Sequence, residues 1–139
     1  MGLSFVINDK IISNTNEYLD FCTIIEKEVL DFLNERNSYI SIRSFNKWFR
    51  DKYGCTVNML KNTFVKNFPT FSFETHPYII RNIKAFFFVK YGSFIDYCIK
   101  YCDMSIEELY NKLLEKDPLI KGLSKATVKS SLYEIEYMS

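Results

Sequence analysis

The chain has 139 residues, enough for one domain or for two very small ones sharing a core. It is 47% hydrophobic and 17% aromatic with a net charge of +1, and no apolar run approaches 18 residues, which excludes a membrane-spanning helix. The charge is uneven: residues 1–35 carry a net −5, residues 36–90 a net +8 and residues 91–139 a net −2.

The first residues, Met1-Gly2-Leu3-Ser4-Phe5-Val6, lack a basic signal-peptide region and a myristoylation Ser or Thr, so a location inside a cell is expected: cytoplasm, or nucleus for a eukaryotic source. Lys outnumbers Arg 14 to 4, with 15 Ile, 11 Asn and 2 Ala, a usage that AT-rich codons produce and that phage, viral, bacterial or protist genomes share. The four cysteines, Cys22, Cys55, Cys98 and Cys102, are irregularly spaced among helix-patterned residues and read as reduced, buried thiols.

Apolar residues flanking Asn8-Asp9-Lys10 suggest a small opening hairpin. Asn14 and Glu17 stand in capping-box relation before a helix in which Tyr18, Phe21, Cys22, Ile25, Val29 and Phe32 form the buried stripe. That helix ends near Arg36, and its outer face is acidic.

Residues 40–82 organise the rest. Ile42, Phe45, Phe49 and Tyr53 recur at helical spacing, which puts Arg43, Lys47 and Arg50 together on the outer side. Gly54 suits the end of that helix. A second helix follows, with Val57, Leu60, Phe64 and Phe68 inward and Asn58, Lys61 and Asn62 outward, stopped by Pro69. Phe71 to Arg81, aromatic and β-branched around Glu-Thr-His-Pro, reads as a short β-hairpin. Helix, turn, helix, hairpin is the order of a winged helix-turn-helix. Asn and Lys on the second helix are side chains that read base edges.

Phe64-Val65-Lys66-Asn67-Phe68-Pro69 and the later Tyr78-Ile79-Ile80-Arg81 resemble the recognition helix and wing of RFX-type winged helices and of the C-terminal winged helix of viral and phage primases. The likeness covers some 40 residues and departs from the regulatory members in lacking an Arg-rich wing, with only Arg81 and Lys84 there. It implies duplex DNA as partner.

In Ile83 to Tyr91, three consecutive residues, Phe86, Phe87 and Phe88, cannot share one face, so this stretch is buried on two sides or belongs to a protein partner or a self-association surface. Strand, helix and linker remain open for it. Gly92 breaks the pattern, and Ser93 with Asp96 offers a new N-cap. Ser105 and Glu108 form a capping box, Asp117-Pro118 and Gly122 mark a turn, and Ser124 caps a last helix burying Ala126, Val128, Leu132 and Ile135. The phrase Gly122 to Val128 is similar to the turn and recognition-helix start of helix-turn-helix regulators.

The expected fold is therefore mainly α: a winged helix-turn-helix unit with an N-terminal extension over residues 1–90, then a small trihelical, helix-turn-helix-like unit over 91–139 packed on it, or the whole as one compact domain, with one or two short hairpins. Enzyme signatures are missing: no nucleophile elbow, phosphate loop, HExxH or paired-carboxylate motif occurs, and the one histidine, His76, lies in a loop. A metal held by Cys55, His76, Cys98 and Cys102 lacks the close ligand pairs of zinc sites, so no metal and no cofactor are expected. The leading expectation is a small, non-enzymatic DNA-binding protein, a transcriptional regulator or replication accessory factor. Its candidate contacts are Arg43, Lys47, Arg50, Asn58, Lys61, Asn62, Lys66, Arg81 and Lys84. The alternative is a protein–protein interaction module or inhibitor of a host factor, docking through aromatics such as Trp48, Phe86 and Phe88.

Overall fold

The computed structural model describes residues 5–7, 10–12, 14–63 and 70–138. Its described residues are mainly helical: six α-helices and two two-stranded ladders. The chain divides into two compact units, one of residues 1–36 and 43–79, the other of residues 37–42 and 80–139. The division falls near residue 80, where sequence patterning suggests 90, and the short segment Asn37–Ile42 belongs to the second unit.

In the first unit, β1 (Phe5–Ile7) pairs antiparallel with β2 (Lys10–Ile12), the opening hairpin expected from the sequence. Helix α1 (Thr15–Arg36) starts where Asn14 Oδ1 accepts the Glu17 N–H at 2.8 Å. Its buried stripe is Tyr18, Cys22, Ile25, Val29 and Leu33, with Phe21 and Phe32 half-buried. Helix α2 (Ile42–Tyr53) buries Phe45, Phe49 and Tyr53, one turn apart, and ends at Gly54, whose φ of 72° is cheap only without a side chain. Phe73 packs on Phe45 and Phe49 with ring centroids 5.7 and 6.2 Å away. Tyr53 donates to Glu28 at 2.9 Å. Helix α3 is described over Val57–Thr63, with Leu60 buried. The inward positions expected at Phe64 and Phe68 lie outside the described residues.

Among the described residues, Phe71–Arg81 do not form the expected wing hairpin. Residues Ser72–Thr75 form a 3-10 turn, and only Ile79–Ile80 is strand, β4, which pairs with β3 (Ile40–Ser41). Local bonds win over a ladder here. Glu74 Oε1 accepts the Phe71 N–H at 2.9 Å, Glu26 accepts the N–H and hydroxyl of Ser72, and Pro77 has no N–H to give. Phe71 and Phe73 are buried, which gave the segment its strand-like alternation.

In the second unit, α4 (Ile83–Tyr101) opens on Asn82, whose side chain accepts the Ala85 N–H, and runs unbroken through Gly92 and Ser93. The helix expected to restart at Ser93 is thus the second half of a longer one. A mid-helix glycine costs about 1 kcal/mol, less than the burial of Phe87, Tyr91, Ile95 and Cys98 along one stripe returns. Helix α5 (Ile106–Lys116) starts on the Ser105–Glu108 capping box. A 3-10 turn (Pro118–Gly122) leads to α6 (Lys125–Met138). Val128, Leu132 and Ile135 of α6 are buried as expected, but Ala126 faces solvent.

The triple phenylalanine is resolved by the helix. Phe87 is 0% exposed and belongs to the core, and Phe86 packs edge-on to Tyr39, so only Phe88 is open for association. Trp48 is likewise no free surface aromatic: it stacks on Phe32 at 3.8 Å between centroids. No described helix is long and apolar enough to cross a membrane.

Candidate nucleic-acid interface

The site is built on α2 and α3 of the first unit. Burial of Phe45, Phe49 and Tyr53 fixes the rotation of α2, and Arg43, Lys47 and Arg50 are then driven outward. All three are exposed, and none makes an ion pair among the described residues. With 1.5 Å rise and 100° per residue, they fall within about 60° of arc and span about 10 Å of axis. Lys52, in the last turn of α2, lies over the Trp48 and Tyr53 rings at 5.4 and 5.7 Å.

The turn from α2 to α3 is three residues long. Gly54 N–H closes α2 on Arg50 O at 2.7 Å, Cys55 is buried, and Thr56 Oγ1 accepts the Met59 N–H at 3.1 Å to cap α3. Asn58 and Asn62 are exposed on α3, one turn apart. Lys61 is not available in the same way: its ammonium bridges Glu74 at 3.2 Å, and both groups are largely covered. Lys66 lies outside the described residues. Arg81 and Lys84 belong to the second unit, Arg81 exposed and Lys84 paired with Glu134 at 3.7 Å. Of the nine candidates, the first unit thus presents Arg43, Lys47, Arg50, Asn58 and Asn62 without ion pairs.

His76 serves its turn. Its Nδ1 accepts the Tyr78 N–H at 3.1 Å, which leaves the proton on Nε2, 3.4 Å from Asn34 Oδ1. Burial lowers its pKa. Cys22 and Cys55 are buried thiols whose pKa burial pushes up to about 11, far from the thiolate that reactivity or metal binding needs. Cys98 is buried, whereas Cys102, expected inside, is exposed at the end of α4. Among the described residues no three His, Cys, Asp or Glu side chains gather as a metal site.

The second unit holds a polar cluster that the sequence did not announce. Asp117 Oδ2 accepts from the Tyr39 hydroxyl at 2.6 Å, from the Tyr91 hydroxyl and from Lys90 at 3.5 Å. Lys90 also donates to Tyr39 at 2.7 Å. Burial resists ionisation of Asp117, but the two hydroxyls, the Lys90 charge and the Leu119 N–H outweigh it and its pKa is lowered. Burial and the neighbouring carboxylate raise both tyrosines. Both carboxylate oxygens accept hydrogen bonds, Oδ1 from the Leu119 N–H at 3.3 Å, so the cluster works as a fastener for the Tyr39 segment. The partners lie up to 78 positions apart, so no motif spacing could have signalled it.

Fold and surface together define a mainly α protein with an exposed basic helix ahead of a tight turn and a second helix. No protein-family model, no curated protein and no solved structure matches the chain.

Proposed function

We propose that α2 and α3 act as a helix-turn-helix that docks on duplex DNA, making this a small non-enzymatic DNA-binding protein of the regulator or replication-accessory kind. The observation that carries this is the exposed, unpaired ladder of Arg43, Lys47 and Arg50 on the helix preceding a three-residue turn. Duplex DNA presents one phosphate charge per about 1.7 Å of axis, so cations that no carboxylate neutralises gain most there, through counterion release. In the proposed division of labour α2 holds the backbone, and Asn58 and Asn62 of α3 face the bases, where an amide can bond bidentately to adenine. With a turn in place of a wing hairpin, the binding mode relies on the helix pair alone, closer to a wingless helix-turn-helix than to the winged family that residues 64–81 resemble.

The test is a salt titration of binding to selected and random duplexes. Each of Arg43→Gln, Lys47→Gln and Arg50→Gln is expected to lower the slope of log K against log salt by about 0.9 on both duplexes. Asn58→Ala and Asn62→Ala are expected to cost about 1–3 kcal/mol on the selected duplex and little on the random one. Wild type that fails to bind any duplex at low salt removes this reading. A protein-interaction role then stands, favoured by the exposed Phe88, Tyr133 and Tyr137 of the second unit.

A further inference from the structure

The solvent side of α6 has an unusual composition. Val128, Leu132 and Ile135 turn into the core, and the opposite side presents Ala126, Ser130, Tyr133 and Tyr137, all exposed, Tyr133 at 57% and Tyr137 at 93%. Their spacing of four, three and four residues is the a/d seam of a coiled coil, here pointing away from the protein's own interior. No charge interrupts it. An ordinary outer helix face is charged, whereas this one is uncharged and half aromatic.

We propose that this face of α6 is a homodimer seam, closed by α6 of a second copy running antiparallel about a two-fold axis. Two observations select a second copy over an unrelated partner. The first is size complementarity: the small residues lie at one end and the tyrosines at the other, so reversing the partner helix sets Ala126 against Tyr137 and Ser130 against Tyr133. That interdigitation of small and large is what an isologous contact requires. The second is charge complementarity at the flank, where antiparallel pairing brings Lys129 of each helix toward Glu136 of the other. Glu136 is exposed, and Lys129, held by Glu107 at 2.7 Å, has further N–H donors to offer. Beside the tyrosines an open depression of about 310 Å³, also lined by Lys84 and Glu134, gives the incoming helix room. One helix face buries less than a standard interface of about 1,200–2,000 Å², so the dimer belongs to the weak, concentration-dependent class. This inference stands independently of the DNA reading.

Sedimentation velocity over a concentration series tests it. Wild type is expected to pass from monomer to dimer below about 1 mM. Glu136→Lys sets lysine against lysine at both contacts of that flank and Lys129→Glu sets glutamate against glutamate, and each alone is expected to raise the dimer dissociation constant about tenfold. An equimolar mixture of the two variants restores complementary flanks and is expected to dimerise as wild type does. Ala126→Tyr, at an exposed position the fold tolerates, is expected to abolish dimers by colliding with Tyr137 of the partner helix. Circular dichroism of each variant checks that α6 is still formed. Wild type that stays monomeric throughout overturns the proposal, as does a dimer indifferent to all three substitutions, or a mixture no better than its components.

Discussion

The helices of the two units handle their lysines and arginines differently. In the second, Lys84, Lys90, Lys100, Lys112, Lys125 and Lys129 are each within ion-pair distance of a carboxylate, and Asp117 gathers two hydroxyls and an ammonium around itself. In the first, the centre is a set of rings, Phe45, Phe49, Tyr53 and Phe73, and the exposed cations of α2 are left without carboxylates. Positive charge neutralised nearby holds a fold together but projects little field beyond a Debye length. Positive charge left open contributes nothing to folding and remains free to attract a polyanion. The contrast sets the open cations of α2, on which the DNA-binding proposal rests, against the paired lysines of the second unit, a use of charge that the first unit repeats at Lys61 and Glu74.

The comparison breaks first at the rings. Phe45→Ala is expected to cost about 3–5 kcal/mol, as a buried aromatic deletion does, because Phe45 is 2% exposed and touches Trp48, Phe49 and Phe73. Urea denaturation measures it, and a loss below 1 kcal/mol would mean that the first unit is held by something else.

Next in size is Gly122→Ala in the second unit. A Cβ there would lie 2.0 Å from the Tyr39 carbonyl oxygen and 2.6 Å from Ser38 Oγ, so the segment bearing Tyr39 must move. About 3 kcal/mol is expected, at the upper end of overpacking costs. Gly92→Ala meets nothing within 4 Å in the middle of α4 and is expected to stabilise by about 0.5–1 kcal/mol. Thermal melts of opposite sign for the two variants would sharpen the point.

Asp117→Asn follows, at about 1–3 kcal/mol at neutral pH, because both tyrosine hydroxyls and Lys90 lose an ionised acceptor. Its pKa is lowered in the folded protein, so its contribution is complete above the unfolded-state value near 3.9 and fades as pH falls through the lower folded one. Denaturation at pH 7 and near pH 3 should therefore show the gap between wild type and variant shrinking in acid. A gap independent of pH would remove the carboxylate from the account.

The smallest effect is Lys47→Gln on stability. Nothing among the described residues holds Lys47, and the melting temperature is expected to move by no more than about 2 °C, while DNA binding loses salt sensitivity. A large stability loss would mean that the α2 cations are structural after all.

Helical phase was legible wherever one apolar stripe dominated. The periods of α1 and α2 and the caps at Asn14 and Ser105 follow from nearest-turn chemistry, and so does the outward placement of Arg43, Lys47 and Arg50. What could not be read depended on contacts remote in sequence. Lys61 is oriented outward by its own helix, yet Glu74, thirteen residues on, claims it. The strand-like alternation of Phe71 and Phe73 survives inside a 3-10 turn because Glu74 and Glu26 supply acceptors that a ladder would have replaced. Gly92 resembles a helix stop only until the burial of Phe87, Tyr91 and Ile95 on both sides of it is counted. The Asp117 cluster, drawn from Tyr39, Lys90 and Tyr91, has no local signature at all.

The membership of Asn37–Ile42 in the second unit has a bearing on biosynthesis. The Tyr39 N–H is taken by the Leu119 carbonyl at 2.9 Å and its hydroxyl by Asp117, so Tyr39 lacks these two partners until the ribosome has added nearly eighty more residues. At about 5–20 residues per second that interval is roughly 4–15 s. The first unit can meanwhile collapse around its rings, since its elements are complete by residue 79. β3, in the loop between α1 and α2, can meet its ladder partner β4 once residue 80 is made, but Tyr39 must still wait for Asp117 and Leu119. Vectorial synthesis therefore imposes an order, rings first and the Tyr39 fastener last. A fragment beginning at residue 80 would emerge without the segment its own core is built to hold.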